Sequence, residues 1–154
     1  MRLVSLSRPG RVAAVVILLS GALAFQTLTP TPASALTSAE HSLLRLVNAD
    51  RRSHGLRPLR LSAVAVRISH NHSRRMAKVG KYFDQCMSCI LYQHGWSYVG
   101  ENTGFAPTMR AMNRFFMHSP PHRANILSRH FTRVGVGVVR ARGTEWVTEL
   151  FFKP

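Results

Sequence analysis

Two short stretches carry side chains whose types and spacing could do chemistry. The first is "HSPPHRANIL", residues 118–127, in which His118 and His122 bracket Pro120 and Pro121. An imidazole can ligate a divalent cation or move a proton near neutral pH. The segment is therefore either part of a site or a turn that happens to hold histidine. The second is Cys86-x-x-Cys89, which contains both cysteines of the chain. Followed by His118 and His122, the pair imitates a zinc-finger order, but the gap is far longer than the roughly 12–15 residues of that pattern. No βαβ context supports a thioredoxin-type pair. A local disulfide is the preferred reading, with a free thiol pair as the alternative.

The compartment favours the disulfide. Arg2, Arg8 and Arg11 precede an apolar run from Val12 to Phe25, and Ala33-Ser34-Ala35 forms a small-residue cleavage box. This is the pattern of a secretory leader over residues 1–35, and the run is shorter than the roughly 20 residues a spanning helix needs. Residues 36–154 then form one domain. The net charge is +15, with 21 Lys and Arg against 6 Asp and Glu. Such a surface suits anionic envelope components or lipids. The arginines are scattered and match no nucleic-acid fingerprint, so nucleic acid is not an expected partner.

The elements that must position these residues follow from caps and periodicity. Thr37 and Glu40 form a capping box ahead of Leu43, Leu44 and Val47, predicting a first helix from about residue 38 to 54, with Gly55 beyond its end. Pro58 blocks continuation. Ser62 can cap a second helix reaching about Val79, with Leu61, Ala65, Ile68, His72 and Met76 near one face and Gly80 closing it. Residues 81–105 read as a long loop. Pro107 suits the start of a third helix whose buried stripe is Met109, Met112, Phe115 and Phe116, and Pro120-Pro121 should terminate it. Val134, Val136 and Val138 alternate with glycines, and Trp146, Thr148 and Leu150 alternate beyond Arg142-Gly143, which predicts a C-terminal hairpin. His72 is expected near the core; His70, His41, His54 and His130 are expected at the surface. Asn48 and Asn125 are expected to clip backbone, and Arg123 to be solvated. The fold class is mixed α/β, in layers.

The ordered set "LVNADRRSHGLRPLRLS", "HGWSYVGEN", "HSPPHRANIL", "FTRVGVGVV" and "WVTELF" resembles the CAP superfamily of cysteine-rich secretory, antigen 5 and pathogenesis-related proteins, in its short bacterial SCP-like branch. The resemblance spans about Leu43 to Phe152. It implies a three-layer α-β-α sandwich, with strands inside the apparent loop near "SYVGENT". It also implies a cleft lined by two histidines and two glutamates. His94 matches the first histidine, Glu101 the first glutamate and His122 the second histidine. The second glutamate belongs near Ser119, so one acidic group is missing.

His94 and His122 could offer two nitrogens to zinc or another divalent cation, with Glu101 as third ligand or as an acceptor behind them. Such a set is poor for a structural site, and no cofactor is expected to be required. In the competing reading the three side chains simply bond one another and hold loop to helix. The leading expectation is a non-catalytic extracellular or cell-envelope binding module, assumed monomeric, whose cleft takes metal or lipid. The alternative is a metal-assisted hydrolase using Glu101, His94 and His122. A serine mechanism through Ser97 or Ser119 lacks any serine motif.

Overall fold

Thr37 and Glu40 start the first helix by capping each other. Thr37 Oγ1 accepts from the Glu40 N–H at 3.2 Å, and the Glu40 carboxylate accepts from the Thr37 N–H at 2.8 Å. The resulting helix α1 runs Ser38–Ser53. This computed structural model describes residues 36–154, so the expected leader lies outside the described residues. A two-residue strand β1, Arg60–Leu61, precedes helix α2, Ala63–Val79. Ser62 caps α2 and Gly80 closes it in the left-handed region, φ 71°.

The stretch expected to be loop contains helix α3, Met87–His94, and strand β2, Tyr98–Ala106. Apolar residues do not gather on one face of α3, so periodicity gave no signal for it. Helix α4 spans Met109–His118, capped by Thr108 rather than started by Pro107. Pro120 and Pro121 do not lead into a turn. They open a further helix, α5, Pro120–Ile126, with Ser119 ending one helix and beginning the next. Proline is tolerated there because first-turn N–H groups have no intrahelical acceptor to lose. Strands β3, Arg133–Ala141, and β4, Thr144–Lys153, form the hairpin. Its two turn residues, Arg142 and Gly143, both have positive φ, as a tight twisted hairpin turn requires.

The sheet order is β1-β3-β4-β2, with β1 parallel to β3 and the other pairs antiparallel. Alternation along β3 and β4 decides the layers. Val134, Val136, Val138, Val147 and Phe151 face one side, where they pack with Leu43 and Val47 of α1, Met112 and Phe116 of α4, and Ile126 of α5. Burying each such side chain contributes about 1.5–3 kcal/mol. Phe115 flanks the α4 stripe and is exposed, so that position of the predicted stripe was misplaced.

The other side of β3 presents Gly135 and Gly137. A Cβ at either would lie within 2.2 Å of the α2 backbone, so only glycine lets the helix lie directly on the strand. The α2 face that makes this contact is small and polar. Ser69 Oγ donates to the Gly135 carbonyl at 3.1 Å and Ser73 Oγ to the Gly137 carbonyl at 2.9 Å. This rotates the buried face away from the predicted one: Leu61 is exposed and Ile68 is half-buried. Helix α3 shares this layer through Ile90, which clusters with Ala65, Leu150 and Phe152. The architecture is thus a three-layer α-β-α sandwich with a C-terminal hairpin.

Glu40 closes a gap in the sheet. Because β1 pairs only with Arg133 and Val134, the Val138 N–H has no strand partner and donates to Glu40 Oε1 at 3.2 Å. His70, expected at the surface, is half-buried and bonds the same oxygen at 3.1 Å. Burial pushes the Glu40 carboxyl up, but its hydrogen bonds from Thr37, His70 and Val138 outweigh this and leave it lowered.

Candidate functional site

Strand β2 lies at the edge of the sheet, and its alternate residues reach into different layers. Glu101 and Thr103 face the α2–α3 side, whereas Asn102 faces α5. Just before α3 the chain runs beside β2. Gln85 donates its backbone N–H to Glu101 Oε2 at 2.9 Å, and its side-chain amide donates to Oε1. Asp84 Oδ1 accepts from Thr103 Oγ1 at 3.1 Å. The segment is held from α2 as well. His72 Nε2 bonds the Phe83 carbonyl at 2.7 Å and Arg75 bonds His72 Nδ1 at 3.2 Å. A neutral ring with its proton on Nε2 satisfies both contacts. Burial accordingly lowers the pKa of His72. Arg75 also donates to Gln85 Oε1 at 3.3 Å, completing a chain from α2 through Gln85 to Glu101.

On the other side of β2, Asn125 of α5 donates to the Glu101 carbonyl and to Asn102 Oδ1, each at 2.9 Å. Asn102 in turn donates to the His122 carbonyl at 3.2 Å and to Glu149 Oε2 at 2.9 Å. His122 Nδ1 is 2.7 Å from Ser119 Oγ, and its ring packs on Phe115 and Phe116. No hydrogen bond among the described residues reaches its Nε2.

The structure therefore unites the predicted residues only in part. Glu101, His122 and Ser119 lie around one short stretch of the β2 edge, linked through Asn102 and Asn125. No hydrogen bond among the described residues joins His94 to Glu101 or His122. His94 ends α3, and its ring stacks on Trp96 with centroids 4.7 Å apart, while Trp96 stacks on Phe152 at 3.7 Å. The stack places the imidazole in the α3 layer, and within that layer it is Gln85 that bonds Glu101. His118 bonds the Arg114 carbonyl and stands apart at the surface. Arg123 turns to His54 at 3.0 Å and not to Glu101. Cys86 and Cys89 are joined by a disulfide at the start of α3.

Burial raises the pKa of Glu101, against the hydrogen bonds from Gln85 that favour its charged form. Burial lowers that of His122, against the nearby charge of Asp84. His122 is thus biased toward the neutral ring and has one open nitrogen among the described residues, and Glu101 accepts a hydrogen bond at both oxygens. Among the described residues no three His, Cys, Asp or Glu side chains are arranged to hold a metal ion. With no third such side chain and an amide at Gln85, the donor set does not fit a resident zinc ion, whose structural sites take four protein ligands.

Sequence reasoning missed Gln85, Asp84 and Arg75 because the loop reading hid their approach to β2. It also missed Glu149, which is fully buried and whose Oε1 has no partner. Its signal was present: Glu149 falls between Val147 and Phe151 in the core-facing alternation of β4.

The class is thus an α-β-α sandwich with a polar site wrapped around one sheet edge. The family model of the cysteine-rich secretory proteins, CAP, matches residues 44–151, and the chain belongs to that family. It is 32% identical over 142 residues to protein YkwD of Bacillus subtilis (strain 168), covering 86% of this chain and 54% of that protein. The chain thus spans about half the length of that relative. The fold is similar to an SCP-domain extracellular protein of Bacillus anthracis, with TM-score 0.65, 23% identity, and coverage of 78% of this chain and 45% of that one. It is similar also to an outer surface protein of Borrelia burgdorferi, with TM-score 0.68, 11% identity, and coverage of 77% and 96%. No described helix is long and apolar enough to cross a membrane.

Proposed function

We propose that this CAP-domain chain works outside the cell or at its envelope as a binding module, with anionic envelope polymers or lipids as its partners. The observation that carries the non-catalytic reading is the state of Glu101. Both of its oxygens accept from Gln85, so the carboxylate expected as general base serves instead to pin the segment before α3 to β2. Taking a proton from water would have to use the second lone pair of an oxygen that already accepts one of those bonds. His122 Nε2, beside exposed Phe115, is the open polar atom at which a ligand would be read.

A hydrolase is the second reading, favoured by one contact. Ser119 Oγ lies 2.7 Å from His122 Nδ1, the distance of a nucleophile from its base. The ring lacks the carboxylate that such a base ordinarily leans on through its other nitrogen. Incubation with a panel of peptides and carboxylic esters tests the choice. Turnover is expected to equal that of a Ser119→Ala variant. Turnover that disappears in both Ser119→Ala and His122→Ala would overturn the binding-module reading.

A further inference from the structure

At the β1 edge of the sheet, opposite Glu101, lies a cleft of about 590 Å³ whose wall carries Arg51, Arg57, Arg60, Arg129 and Arg133 around Phe131. We propose that this cleft is an anion-binding site for a ligand carrying several phosphodiester groups.

Charge accounting comes first. The chain has six acidic side chains, and every one is committed elsewhere. Glu40 serves Thr37 and Val138, Asp50 accepts from Asn113, and Asp84 accepts from Thr103. Glu101 is held by Gln85, Glu145 pairs with Arg140, and buried Glu149 accepts from Asn102. The five guanidinium groups therefore have no acidic side-chain counter-ion anywhere in the protein.

Two arrangements show a built wall. Arg60 and Arg133 are register partners in the parallel β1–β3 pair, so two like charges stand side by side. That juxtaposition is unfavourable until an anion lies between them. Arg51 is only 2% exposed and spends its donors on backbone. It bonds the carbonyls of Arg57, Ile126 and Ser128 at 2.9, 2.6 and 2.9 Å. These bonds clamp the loop after α1 to the segment after α5, fixing the backbones that bear Arg57 and Arg129. Arg57, Arg60 and Arg129 are exposed and Arg133 half-buried. A guanidinium offers a planar fork that matches the paired oxygens of a phosphate. One phosphodiester carries a single charge, so four accessible forks call for a ligand with several. The volume falls in the roughly 300–1,000 Å³ range of ligand sites.

The inference rests on the reading above that the chain engages anionic envelope components, and it assigns where. The test uses the full chain with two probes: soluble oligomers of glycerol phosphate, by calorimetry, and phosphatidylglycerol vesicles, by cosedimentation against phosphatidylcholine vesicles. Binding of the soluble oligomer identifies a polymer phosphate; binding of phosphatidylglycerol vesicles alone identifies several lipid headgroups presented side by side on a membrane. Either supports the site when the paired variants Arg57→Gln/Arg129→Gln and Arg60→Gln/Arg133→Gln each weaken binding tenfold or more. The control pair Arg110→Gln/Arg114→Gln, exposed on α4, removes the same charge and should weaken it less than threefold. Equal losses in the control would overturn the site in favour of net charge alone. Loss through His122→Ala with full binding by the arginine pairs would overturn it while sparing the envelope reading, and no binding of either probe by the parent would overturn both.

Discussion

Replacing Glu149 by Gln should remove most of a stability loss that the parent suffers as pH rises from about 5 to 8. The carboxyl is fully buried between Val147 and Phe151, with one oxygen bonded to Asn102 Nδ2 at 2.9 Å and the other without a partner. Burial pushes its pKa from 4.5 up to about 8, and the charge of Asp50 adds to the rise. The folded state therefore keeps a proton that the unfolded chain releases above its ordinary pKa. The resulting stabilisation is complete below that ordinary value and is lost as pH climbs through about 8. The slope in this window is about 1.4 kcal/mol per pH unit, which accumulates to something on the order of 4 kcal/mol. Glutamine is neutral throughout and nearly isosteric, so the variant should not follow this slope. Urea unfolding of both proteins between about pH 5 and 8 measures it. His72 and His122, both lowered, contribute the opposite slope near neutral pH, but they are common to both proteins and cancel in the difference. A parent-minus-variant difference that stays constant across the window would refute a protonated Glu149.

Other substitutions probe the packing and the site. Gly137→Val would force a Cβ to within 2.2 Å of the His70 backbone nitrogen, and it should destabilise by about 3 kcal/mol or more in urea unfolding. Glu40→Ala removes the acceptor of the Thr37 and Val138 N–H groups and the partner of His70; a loss of about 2–4 kcal/mol is expected. Glu40→Gln, which keeps an acceptor oxygen, should lose less in the same assay. His122 should titrate below 6.5 by NMR, and Asp84→Asn should lower its midpoint further, because Asp84's charge raises it; an upward move would refute the placement of that charge.

Where local chemistry dictates the backbone, the sequence was readable. The Thr37–Glu40 box, the Ser62 cap, Gly80 and the Arg142-Gly143 turn each work through neighbours in the chain, and the structure has all of them. Alternating Val and Gly announced β3, though not what the glycines are for. Their purpose depends on α2 lying against that face, a contact between residues more than sixty positions apart. The same dependence explains α5. Pro120-Pro121 can end one helix or begin another, and Ser119 lets them do both.

The site was harder because its contacts are set by the path of residues 80–97, and that path has no periodic signature. A histidine at position 94 looks available in the linear order. Trp96 two residues on, and Phe152 on the adjoining strand β4, offer the ring an aromatic surface instead. Gln85 carries no obvious chemical promise, yet Arg75 fixes its amide oxygen, which leaves the amide nitrogen to donate to Glu101. What the resemblance located correctly was a strand within "SYVGENT", where β2 lies. What it could not supply was the partner of each polar atom. With Gln85 bonded to Glu101, the imidazole at this stretch of β2 is that of His122, and no hydrogen bond among the described residues reaches its Nε2. The proposed recognition of a highly charged partner rests instead on the arginines at the opposite sheet edge, to which the six acidic side chains supply no counter-ion.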